Sequence, residues 1–162
     1  MINNNLDNNS DIYFVTQAIK EAIKAYNKRE IPVGAVIVKD GKIIARGHNV
    51  KETKKNPLGH AEIVCINKAA KKLDAWRLND LTMYVTLEPC TMCAGAIVHS
   101  RIKKVVYCLK DEKTGALGSK LNINDLNLNH KIEIEQYTEL NDKLSKFMKK
   151  FFKEMRNGKQ KI

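Results

Sequence analysis

Between residues 11 and 28 the apolar positions Ile12, Val15, Ile19, Ala22, Ile23 and Tyr26 recur in steps of one to four residues, the stripe of an amphipathic helix. The period then changes. "VGAVIV" (33–38) and "KIIAR" (42–46) are β-rich runs separated by Lys39-Asp40-Gly41, and Asp-Gly between such runs predicts a hairpin. A polar stretch, "GHNVKETKKNPLG", follows, and its Pro57 and Gly59 place the start of a second helix near residue 60, running to about 73. "TMYVTL" (82–87) reads as a buried strand and 90–99 as a short helix opened by Pro89. "KVVYCL" (104–109) is another strand and "KIEIEQY" (131–137) an alternating one. Leu140, Leu144, Phe147, Met148, Phe151 and Phe152 mark a last amphipathic helix over 139–156. The order αββαβαβ(α)βα predicts a sheet sandwiched between helices, an α/β fold in three layers.

The spacing also speaks to strand direction. About twenty residues separate the strand ending near Leu109 from the one starting near Lys131. A hairpin needs two to five residues, whereas a parallel pair needs a crossover of a dozen or more. The last two strands of a five-stranded mixed sheet are therefore expected to be parallel, with a short helix around 121–128 between them.

Composition narrows the class without deciding it. With 162 residues and no interdomain linker, the chain is expected to form a single domain over 11–157. The Asn-rich residues 1–10 are expected to be a disordered tail and residues 158–162 a basic one. No stretch resembles a signal peptide or a membrane helix, and four cysteines hardly suggest a disulfide scaffold. A cytoplasmic protein with no membrane attachment is expected. The net charge of +11 favours a polyanionic partner, although Lys and Asn are abundant throughout. From Lys143 to Ile162 eight Lys/Arg residues face one acid, Glu154, which suits either a phosphate-contacting surface or a solvated face.

The candidate chemistry lies in "GHAEI" and "LEPCTMC". Cys90 and Cys93, three residues apart at a helix start, can point to one face where the helix N-terminus favours thiolates. Alone, such a pair fits metal or redox use about equally. His60 adds a third donor, and two thiolates with one imidazole leave tetrahedral zinc one place for water. Cys65 or Cys108 could fill that place, but their positions suit core thiols better. Glu62 would then move protons for the bound water. Residues two apart in a helix point about 200° away from each other, so His60 must lie at the helix entry to share a site with Glu62.

H-A-E followed by P-C-x-x-C is the signature of the zinc-dependent cytidine deaminase-like superfamily. Within it the chain resembles the bacterial-type tRNA-specific adenosine deaminases from about Ile12 to Arg156. The resemblance includes "REIPVGAVIV", "GHNV", "GHAEI", "WRL", "MYVTLEPCTMCAGAIVHSRI" and "DEKTGALGS". It implies a cytidine deaminase-like fold and hydrolytic deamination of the wobble adenosine in a tRNA anticodon, chiefly of an arginine tRNA, to inosine. It implies one Zn2+ per subunit on His60, Cys90 and Cys93, Glu62 as the catalytic acid/base, and no organic cofactor. Asn49 matches the residue that hydrogen-bonds the flipped base, with the Ala61 backbone along its edge and Val33 on the pocket floor. Arg29, Glu30, Asp111, Lys113, Phe152 and Arg156 match positions lining the anticodon groove, and a homodimer is implied. A free-base deaminase, a non-catalytic tRNA-binding subunit and a zinc- or redox-stabilised interaction domain are the competing readings. Retention of Glu62 and the "KTGALGS" loop weigh against them.

Overall fold

Strand residues face two apolar layers in alternation, and helices fill both. The computed structural model describes residues 4–159. Its strands are β1 (Gly34–Lys39), β2 (Lys42–His48), β3 (Thr82–Leu87), β4 (Lys104–Leu109) and β5 (Glu133–Gln136), in the spatial order β2-β1-β3-β4-β5. On one face Ala35, Ile37, Met83, Val85, Val105 and Tyr107 share a core with Cys65 and Ala69 of α2 (Ala61–Leu73) and Ala94 and Ile97 of α3 (Thr91–His99). On the other, Val36, Val38, Tyr84, Val106 and Cys108 meet Phe14 and Val15 of α1 (Asn4–Asn27) and Leu144 of α4 (Asn141–Lys159). Neighbouring residues on each central strand thus belong to opposite cores, which makes the three layers.

β1 pairs antiparallel with β2 and β3, while β4 is parallel to both β3 and β5. The long connection does carry a parallel crossover, although the helix expected in it is only a 3₁₀ turn at Ile123–Leu126. The β1–β2 hairpin turns through Asp40 and Gly41 at φ 48° and 71°, the left-handed pair that matches strand twist. β5 is a short edge strand, and its alternating glutamates, Glu133 and Glu135, discourage further pairing.

Two boundaries differ from the sequence expectation. α1 begins at Asn4, so residues 4–10, expected as part of a disordered tail, have helical backbone. Once the apolar stripe has nucleated a helix, extending it through polar residues costs far less than starting one. At the other end α4 continues to Lys159; residues 1–3 and 160–162 lie outside the described residues. Among the described residues no helix is long and apolar enough to cross a membrane.

Sheet register gathers one end of the fold. Gly34 at the start of β1 pairs with His48 at the end of β2, and Leu87 at the end of β3 pairs with Leu109 at the end of β4. The Gly34 N–H donates to Thr86 Oγ1 at 3.2 Å. Residues just outside these positions, Val33, Asn49, Glu88 to Cys90 and Asp111, therefore converge on one edge of the sheet.

Candidate active site

Two helix entries meet at that edge, and each begins with a candidate ligand. His60 is the N-cap of α2, extended at φ −79° and ψ 150°, and its side chain makes no capping bond. It therefore stands outside regular helix geometry, and this allows Glu62 to share its site. Cys90 is likewise the N-cap of α3 (φ −73°, ψ 176°), with Cys93 in the first turn. Pro89 thus precedes the cap instead of opening the helix, one position earlier than the sequence suggested. Proline disfavours helical backbone at the residue before it, which keeps Glu88 out of α3.

The ring Nδ1 of His60 lies 3.7 Å from Cys90 Sγ and 3.6 Å from Cys93 Sγ. All three donor atoms fall within 4.8 Å of one another. Bond lengths of about 2.0 Å to nitrogen and 2.3 Å to sulfur at tetrahedral angles put nitrogen and sulfur roughly 3.5 Å apart around one zinc ion. The donor set and its spacing fit that metal. Cys65 and Cys108 are buried elsewhere in the two cores, and burial pushes the Cys108 thiol up to about 12.

Charge is strongly organised here. The hydrogen bond from Cys93 is the main cause that pulls the Cys90 thiol down to about 4; burial opposes it, and His60 assists. Cys93 moves upward, first through that same bond and then through burial. His60 is raised by its contact with Cys90. Glu62 is only 4% exposed, and burial drives its carboxyl up to about 7, with the Cys90 charge adding to the effect.

Asn49 is fixed from two sides. Its Nδ2 donates to the Ile31 carbonyl at 3.1 Å, and its Oδ1 accepts from the Ala61 N–H at 2.9 Å. The Ala61 N–H, the first donor of α2, is thus held by Asn49, which ties the entry of that helix to the loop after β2. Asn49 itself retains one amide hydrogen and one acceptor lone pair for a ligand.

A cavity of about 250 Å³ is lined by Val33, Asn49, His60, Glu62, Cys90 and Asp111, together with Glu30. This is below the range of drug-sized ligand sites, roughly 300–1,000 Å³, and suits a single base. Ile31 and Glu52 also line a second basin, of about 570 Å³, with Arg29 and Phe152. Phe152 continues into a third, where it meets Lys113, Lys149 and Arg156. The candidate residues thus fall along one groove. Phe151 is buried in the helix-covered side, while Phe152 stands 41% exposed, which separates the core ring from the groove ring.

Glu30 faces inward. It is 1% exposed and accepts from the Glu52 and Thr53 N–H groups at 3.1 and 2.6 Å. Burial would raise its carboxyl, but these bonds outweigh it and hold the group below the ordinary carboxylate range. The stabilisation is then fully present above the unfolded value, about 4.3, and is lost as pH falls through the lowered folded value. Glu30→Gln is expected to cost about 1–3 kcal/mol at pH 7 and to flatten the fall in stability between pH 7 and 3. Denaturant titrations across that range measure both effects.

Sequence reasoning missed Glu88, Lys51 and Thr114, which also line the first cavity. An acid between an apolar strand and a proline was the available signal for Glu88.

A family model described as MafB19-like deaminase matches residues 8–156. A tRNA-specific adenosine deaminase of Bacillus subtilis (strain 168) is 44% identical over 151 residues, covering 93% of this chain and 93% of the relative. One from Aquifex aeolicus (strain VF5) is 44% identical over 147 residues, covering 90% and 96%. Among solved structures, one from work on A-to-I editing by tRNA:A34 deaminases superposes with a TM-score of 0.72 at 37% identity, over 78% of this chain and 98% of that one. A guanine deaminase from Bacillus subtilis superposes with a TM-score of 0.60 at 36% identity, over 90% and 92%.

Proposed function

Because the chain belongs to the MafB19-like deaminases and, among them, to the family of tRNA-specific adenosine deaminases, we propose that it converts the wobble adenosine of a tRNA anticodon to inosine, with an arginine tRNA as its chief substrate. The observation that carries this reading is the buried Glu62 beside a three-donor metal group at the bottom of a base-sized cavity. His60 Nδ1 and the sulfurs of Cys90 and Cys93 would hold zinc, which supplies Lewis acidity that makes water a nucleophile near neutral pH.

Each remaining task falls to a side chain. Asn49 presents its free amide hydrogen and lone pair to the base, and Val33 closes the floor. Glu62 takes one proton from the attacking water and delivers it to the ring nitrogen next to the reacting carbon; it then takes the second, from the hydroxyl formed on that carbon, and gives it to the departing amine. Water and adenosine are consumed, and inosine and ammonia are released. A raised carboxyl suits this exchange, because a group near neutrality can both accept and return a proton. The groove through Arg29, Phe152, Lys113 and Arg156 receives the nucleotides beside the flipped base, with Phe152 available for stacking. The functional unit is a homodimer whose second subunit closes this groove.

The guanine deaminase likeness favours a free base as the competing substrate. One assay separates the two: an arginine tRNA with A34, free adenosine, guanine and cytosine are incubated with zinc-loaded protein, and inosine and ammonia are measured. Inosine in the tRNA alone supports the proposal; turnover of guanine alone overturns it.

Salt provides a second discriminator. If about three of the groove cations meet phosphates, log affinity for an anticodon stem-loop should fall against log salt with a slope of roughly −2. That corresponds to about a fifteen-fold loss between 50 and 200 mM salt. Fluorescence anisotropy of a labelled stem-loop checks it, and a flat response points to a small uncharged substrate.

A further inference from the structure

Glu88 lies between β3 and Pro89, two residues before Cys90, and is 2% exposed. A carboxylate so placed is costly unless its acceptors are filled. They are filled, and by one loop. Oε1 accepts from the Leu117 and Ser119 N–H groups, each at 3.0 Å. Oε2 accepts from the Asp111 N–H at 3.0 Å and from the Ser119 hydroxyl. Two donors to each oxygen leave Glu88 little capacity for a substrate, although it lines the cavity with Glu62.

The loop carries a second carboxylate that repeats the arrangement further out. Asp111 Oδ1 accepts from the Lys113 and Thr114 N–H groups at 3.0 and 3.1 Å, and its Oδ2 accepts from the Thr114 hydroxyl at 2.6 Å. Lys113 in turn lines the outer basin with Lys149, Phe152 and Arg156. The middle of the loop is anchored independently, because Ala116 and Leu117 are buried in the core beneath α2 and α3. Glu88 therefore holds the two ends of the loop, at Asp111 and Ser119, and the first of these ends carries the groove cation. At Gly115 an added Cβ would run into the Glu88 carboxyl and the Asp111 carbonyl, so the loop closes on Glu88 with no room to spare.

We propose that Glu88 is a positioning residue: through Asp111 it sets where Lys113 stands in the groove, and so governs RNA affinity without touching RNA. The inference rests on the reading that the groove binds RNA. In it, the strand that delivers Cys90 to the metal group also fixes the outer phosphate contact. The two stay in register because both hang on three consecutive residues, Glu88, Pro89 and Cys90.

The test compares parent, Glu88→Gln, Ser119→Ala, Gly115→Ala, Lys113→Ala and the Glu88→Gln/Lys113→Ala double variant. Each is measured for anticodon stem-loop affinity by anisotropy, bound zinc by metal analysis, and amide hydrogen exchange over 111–119. Glu88→Gln, Gly115→Ala and Lys113→Ala should each weaken binding about five- to ten-fold and make its salt slope shallower by about one. Ser119→Ala, which deletes a single donor and serves if Glu88→Gln folds poorly, should weaken it about three-fold. The double variant should bind within about two-fold of Lys113→Ala, because the two residues act in series. Zinc should remain at the parent level in all variants, while amides 111–119 exchange faster when Glu88, Gly115 or Ser119 is changed. Losses that multiply in the double variant overturn the proposal. So do parental affinity in both Glu88→Gln and Ser119→Ala, and zinc lost from Ser119→Ala. A parent protein that binds no stem-loop overturns the function reading itself, a result visible before any variant is compared.

Discussion

Glu62→Gln is expected to retain zinc and the parent fold while its rate of inosine formation falls by a factor of about 10²–10⁴, the usual worth of a positioned acid/base. The substitution is close to isosteric, so the cavity keeps its shape. It removes the ability to accept a proton from water and to return one to the departing amine. It also removes a group whose charged form burial disfavours, so no loss of stability is expected. Single-turnover assays with saturating tRNA isolate the chemical step, and metal analysis of the same samples confirms that the ligands are intact. Deamination at near the parent rate would leave Glu62 as a buried acid in the first turn of α2 with no part in catalysis.

How His60 and Glu62 come to share a site was legible as a condition before it was visible as a fact. Two residues apart, they could meet only if His60 stood outside the helix, and it is the extended N-cap. The same holds for the parallel β4–β5 pair, which follows from the length of the connection, and for the hairpin at Asp40-Gly41. These features depend on local chemistry or chain length, both of which a sequence displays directly. The metal group was legible for another reason: its thiols and imidazole are written as letters in two short motifs, whatever distance of chain separates them.

What Glu30 and Glu88 bind was not legible, because their partners are backbone N–H groups far along the chain. Glu30 serves Glu52 and Thr53, and Glu88 serves Asp111, Leu117 and Ser119. A backbone donor has no letter in the sequence, so nothing near Glu30 distinguishes it from a solvated acid. The commitment of Asn49 to the Ala61 N–H escaped for the same reason; the family resemblance implied a ligand contact, and only the fold reveals the helix donor it also satisfies. The start of α1 at Asn4 escaped because polar residues that extend a helix carry no stripe of their own.

Cys90→Ala is expected to lose both metal and stability, and the two losses should be one effect. With two remaining donors, His60 and Cys93, the group no longer holds a tetrahedral ion tightly. Because the ligands come from the entries of α2 and α3, metal binding joins two separate elements of the fold. A metal present at about 100–1,000 times its dissociation constant stabilises the fold by roughly 3–4 kcal/mol. Its loss should lower the melting temperature by about 10 °C in a chain of this size. A strong chelator should bring the parent down to the melting temperature of the variant and leave the variant unmoved. Cys65→Ala is the control: it removes a core thiol whose sulfur donates to the Ala35 carbonyl at 3.7 Å, so it should lose some packing stability yet keep its metal and its response to chelator. A Cys90→Ala protein with full zinc occupancy, or one that still loses stability to chelator as the parent does, removes Cys90 from the ligand set.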